Sequence, residues 1–142
     1  MALKIRLAAG ERMIINGALI RAETKAEIVL MNRTSFMVDR QIMRPEEANT
    51  PARRIYFSLQ NVYISDVEEQ PQMMQFFHDY TDQFREATSN PSVKASIGAM
   101  REMVERGEFY AALQAARELI QYEDSVLKAT DALVDLPQPQ ER

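Results

Sequence analysis

The sequence predicts an α+β fold: a small antiparallel sheet or barrel of about five short strands, then a bundle of three to four helices. Three observations predict it. Over the first 45 residues apolar positions come in short runs, some alternating with basic ones, broken at close intervals by turn dipeptides. Beyond Pro71 the apolar spacing becomes that of a helix. Charge divides at nearly the same place, with ten Lys/Arg against six Asp/Glu in residues 1–54 and seven against fifteen in residues 55–142. The net charge of −4 therefore joins a basic part to an acidic one. Such a division fits polyanion binding on one side, and equally two solvated surfaces of different sign.

Leu3-Lys4-Ile5-Arg6-Leu7 alternates apolar and basic, as a strand with one wet face does. Ala9-Gly10-Glu11 turns into Met13-Ile14-Ile15, and Asn16-Gly17 is the strongest short hairpin signal available. Ala18–Arg21 follows, then a polar turn at Glu23-Thr24-Lys25. Glu27–Met31 and Phe36-Met37-Val38 complete an expected meander, turning at Asn32-Arg33-Thr34. Lys4, Arg6, Arg12, Arg21, Arg33 and Arg40 lie in or beside these strands.

Asn49-Thr50-Pro51 reads as a helix start, with Thr50 as N-cap and Pro51 at the first helical position. Ile55, Leu59 and Val62 then share one arc, although the aromatic and β-branched content of the stretch also suits a strand. Met73, Phe77, Tyr80, Phe84 and Ala87 define a second helix, whose stripe of Phe76, Phe77, Tyr80 and Phe84 is expected in the core, the lesser reading being a groove or ridge for a partner helix. Met73-Met74 suits either gap filling or an adaptable surface. Asn90-Pro91 opens a third helix, with Gly107 as its C′ residue, and Phe109, Leu113, Ala116, Ile120 and Leu127 align along a fourth. The resulting plan is a basic β lobe over 1–50, an acidic helical lobe over 51–135, and a polar, proline-rich disordered tail over 136–142.

Several function classes are excluded or disfavoured. The chain has no cysteine, which removes disulfides, thiolate catalysis and cysteine zinc sites and fits a cytoplasmic protein. No segment approaches the ~18 apolar residues of a membrane span, and the N-terminus lacks the core of a signal peptide. The lone His78 cannot form a histidine dyad, and the four glycines make no phosphate-binding loop. An enzyme is the poorer class, and no cofactor is expected.

The charges at Arg53 and Arg54 look misplaced. They fall in the first turn of the expected helix, where the macrodipole disfavours cations. Two readings account for them. In one, exposed N–H groups and two guanidiniums clamp a phosphate. In the other, the arginines pair with Glu46, Glu47 or the acidic helices and fasten the lobes together.

The run Ala48–Phe57, preceded by Ile42-Met43-Arg44-Pro45-Glu46, resembles the signature of the flagellum biosynthesis repressor family, FlbT. So do Leu3-Lys4-Ile5, Gly10-Glu11, Asn16-Gly17-Ala18, Asn90-Pro91 and Gly107–Leu113, through Leu119-Ile120, to Tyr122-Glu123-Asp124. The resemblance implies a post-transcriptional regulator of flagellin synthesis acting on the 5′ untranslated region of flagellin mRNA, as a repressor in some members and a promoter of expression in others. Its implied associates are the flagellar regulator FlaF or flagellin itself. Gly10-Glu11, Met13-Ile14 and an arginine just past the last strand also resemble the RNA-binding carbon storage regulator CsrA, which would place Arg6 and Arg40 near an RNA-facing edge. An RNA surface is accordingly expected from Arg53, Arg54, Arg40, Arg44, Arg6 and Lys4, with Tyr56 and Phe57 as rings for base stacking or as core residues. The helical lobe is left to bind a protein partner or form a homodimer. The rival reading is a flagellar adaptor whose helical lobe grips flagellin or a partner regulator.

Overall fold

The computed structural model describes residues 2–135, so the expected tail lies outside the described residues. Five strands come first: β1 (Leu3–Leu7), β2 (Arg12–Ile15), β3 (Ala18–Arg21), β4 (Ala26–Leu30) and β5 (Phe36–Val38). Two short 3₁₀ turns, Asp39–Gln41 and Pro45–Glu47, lead to α1 (Pro51–Ile64), α2 (Gln70–Ala87), α3 (Pro91–Glu105) and α4 (Phe109–Asp135). The α+β class and the order of elements are those the sequence predicts.

The strands do not form a meander or a closed barrel. They make two small antiparallel sheets, β1-β4 and β3-β2-β5. The reason lies in the strands' own side chains. In β2, Met13 and Ile14 are both fully buried, so this strand is covered on both faces and takes the middle of its sheet. β1 alternates exposed Lys4 and Arg6 with buried Ile5 and Leu7, and so forms an outer layer paired only with β4. The β2–β3 hairpin is as expected, with Asn16 at φ 47° and Gly17 at φ 84°, both left-handed, and Ile15 opposite Ala18.

The middle sheet serves two cores. Met13 packs with Ile5, Leu7 and Ala22 between the sheets. Ile14 and Met37, pointing the other way, join Ile42, Ile55, Leu59, Phe77, Ile97 and Leu113 among the helices. One apolar cluster thus runs from β2 and β5 into α1, across residue 50. At α1's far end, a Cβ on Gly17 would stand 3.1 Å from the Tyr63 carbonyl oxygen, so hairpin tip and helix end are closely apposed.

The helix signals operate as read. Thr50 Oγ1 accepts from Arg53 N at 3.2 Å, Asn90 Oδ1 accepts from Ser92 N at 2.9 Å, and Gly107 takes φ 76°. Two side chains depart from their expected places. Phe76 is exposed, because α2 buries only the arc of Phe77 and Thr81, with Met73, Tyr80 and Phe84 half-buried beside it. Leu127 is also exposed, because α4 outruns the bundle it packs on.

Candidate nucleic-acid interface

Helix α1 starts with the unpaired N–H groups and positive potential that every helix N-terminus presents. An anion does sit there, and it is the protein's own. Glu123 of α4, 8% exposed, accepts from Ala52 N through Oε2 at 2.9 Å. Arg53 reaches the same helix, donating from Nη1 and Nη2 to the two Asp124 oxygens at 2.9 and 3.0 Å. Its Nη1 also stands 3.7 Å from Glu123 Oε1, which has no hydrogen bond of its own. Hydrogen bonding to Arg53 holds the Asp124 carboxyl below its usual range, and the same bond raises the guanidinium. Arg53 therefore fastens α1 to α4, and the fastening reading describes its place. Arg54, on the next position, is exposed and lines a groove between α2 and α4.

Tyr56 is not a stacking surface. It is 3% exposed, and its hydroxyl donates to the Gln41 carbonyl at 2.8 Å while accepting from Arg117 Nη2 at 3.1 Å. The Arg117 guanidinium also lies 5.8 Å from its ring centroid. Burial pushes the phenol above its ordinary pKa, against the pull of Arg117. One turn on, Gln60 holds Met43 as a strand partner would: Oε1 accepts from Met43 N at 2.8 Å and Nε2 donates to Met43 O at 3.0 Å. Tyr56 and Gln60 thus pin the connector between β5 and α1 at two points. Phe57 is half-buried.

That connector carries Arg40 and Arg44, both exposed and, among the described residues, in no ion pair. Arg44 and the half-buried Arg12 border a cleft of about 550 Å³ that also contains Glu11, Asp39 and Glu46. Lys4 and Arg6 project from β1, each 3.5 Å from Glu27 on β4, so this pair keeps one net positive charge. The expected residues therefore fall into separate groups. Lys4 and Arg6 are brought together, Arg40 and Arg44 share the connector, and Arg53, Arg54 and Tyr56 go elsewhere.

Glu123, Asp124, Arg117 and Gln60 received no role from the sequence, yet they place the others. A signal for Glu123 existed, since it stands between Ile120 and Leu127 on the apolar arc of α4, where a carboxylate needs a partner. Gln60 offered none.

The fold and its surface define a small α+β protein whose polar networks hold helices and connector in place while cations on the strand side stay open. The sequence profile of the family described as "Flagellar protein FlbT" matches residues 3–127. A "Probable flagellum biosynthesis repressor protein FlbT" of Caulobacter sp. (strain K31) is 36% identical over 128 residues, covering 89% of this chain and 97% of that one. The "Flagellum biosynthesis repressor protein FlbT" of Caulobacter vibrioides (strain ATCC 19089 / CIP 103742 / CB 15) is 34% identical over 131 residues, covering 89% and 90%. The chain belongs to the FlbT family. No solved structure matches it. Among the described residues no helix is long and apolar enough to cross a membrane.

Proposed function

We propose that this protein regulates flagellum biosynthesis by binding the 5′ leader of flagellin mRNA in the cytoplasm, through the exposed cations of the connector and of β1. Relatives over nearly the whole chain are named flagellum biosynthesis repressors, which supports the regulatory role. The observation that carries the binding mode is the pinned connector. Tyr56 and Gln60 fix its backbone, so Arg40 and Arg44 are offered from a rigid support with no ion pair to either guanidinium among the described residues. Lys4 and Arg6 add charge from β1. Arginines of this kind contact phosphate oxygens and give affinity before sequence selectivity.

The test is binding of the purified protein to a flagellin leader RNA across a salt series. Wild type is expected to bind with a steep inverse dependence on salt. Arg40→Ala/Arg44→Ala is expected to weaken binding and lower the log–log slope by roughly 1 to 2, as two lost phosphate contacts require. No binding by the folded wild type, or a slope unchanged in the double variant, would overturn this mode.

A further inference from the structure

Helix α4 has 27 residues, against 14, 18 and 15 in α1, α2 and α3. At 1.5 Å per residue it runs about 40 Å, well beyond the others. Its buried positions, Ala112, Leu113, Ala116, Leu119 and Glu123, end there, and every side chain from Ser125 to Thr130 is exposed. The uncovered part is not polar. Tyr122, Val126 and Leu127 are 38%, 44% and 45% exposed. With Tyr80 and Phe84 of α2 they wall a groove of about 520 Å³, and Arg54 lines it as well. A helix end of this length has little stability of its own in water.

We propose that the projecting part of α4 packs against the same segment of a second copy of this chain, antiparallel, each end entering the other's α2–α4 groove. Two observations favour a second copy over an unrelated partner. Groove and projecting helix share the Tyr122–Leu127 face, so a two-fold axis beside it brings end to groove reciprocally. In the sequence, Tyr122, Val126, Ala129 and Leu133 follow the 4-3-4 spacing of a two-helix seam.

Sedimentation velocity of the full chain over a wide concentration range tests this. Wild type is expected to show a monomer–dimer equilibrium, and Leu127→Glu to be monomeric at every concentration with an unchanged circular dichroism spectrum. Because the chain has no cysteine, Val126→Cys, beside the two-fold axis and so next to its own copy, reports the seam directly, and mild oxidation should give a disulfide dimer where Gln72→Cys, on α2 two turns before the groove, does not. A wild type monomeric throughout, or a dimer indifferent to Leu127→Glu, overturns the proposal. So does equal cross-linking at the two cysteine positions. No RNA enters these measurements, so their outcome is separate from that of RNA binding.

Discussion

The arginines of the helical side and those of the strand side have similar chemistry and opposite circumstances. Arg53, Arg101 and Arg117 each reach a partner on another helix: Asp124 with Glu123, Asp82 with His78, and the Tyr56 hydroxyl. Arg40 and Arg44 sit on an exposed connector with no such partner among the described residues. Lys4 and Arg6 share a single solvated glutamate. Charge counted along the chain gives both sets equal weight. What separates them is whether a guanidinium is already spoken for, since a paired one must lose its carboxylate before it can take a phosphate.

The sharpest way to break the comparison is Arg53→Ala, which leaves the Glu123 carboxylate buried without its cation. A loss of about 2 kcal/mol in unfolding free energy is expected, below the range for fully buried pairs because Arg53 and Asp124 are partly exposed and the α1 N-terminus still faces the Glu123 carboxylate. Urea denaturation measures it. Tyr56→Phe comes next, at about 1–2 kcal/mol, since it strips a hydrogen bond from the Gln41 carbonyl and from Arg117 in a buried setting. If the connector binds RNA as proposed, the same variant should weaken that binding although Tyr56 is buried, because the connector loses one of its two pins. Arg40→Ala/Arg44→Ala should change stability by less than about 0.5 kcal/mol, the usual range for open surface positions.

Acid sharpens the distinction. Hydrogen bonds from Arg53 and Arg101 hold Asp124 and Asp82 below the ordinary carboxylate range. Groups depressed in the fold contribute stability that is fully present above their unfolded pKa, about 4, and lost as pH falls through the folded values. Urea midpoints should therefore fall from about pH 5 downward, and fall less steeply in Arg53→Ala/Arg101→Ala. Arg40→Ala/Arg44→Ala should follow the wild-type curve.

Much of the fold was legible from local signals. The Asn16-Gly17 turn, the Thr50 and Asn90 caps and the Gly107 terminus each have a short-range cause, and each forms where it was read. Strand pairing was not legible as a meander, because the decisive fact, that Met13 and Ile14 are both covered, depends on which layers lie above and below β2. The site divided in the same way. Exposed cations beside the strands could be read from alternation alone. The fate of Arg53 and Tyr56 depends on residues 71 and 61 positions away, and no local pattern encodes such a contact.

That distance has a consequence in time. The anion capping α1 is Glu123, and its bond to Ala52 spans 71 residues of chain. At the usual ~5–20 residues per second of synthesis, the first turn of α1 waits several seconds after it is made before its carboxylate exists. Until then the α1 N-terminus is open and Arg53 unclaimed. A chain released before Glu123 would lack both the cap and the bolt, so α1 would be left without its fastening. Among the described residues, the fourth helix to leave the ribosome is the one that completes the first.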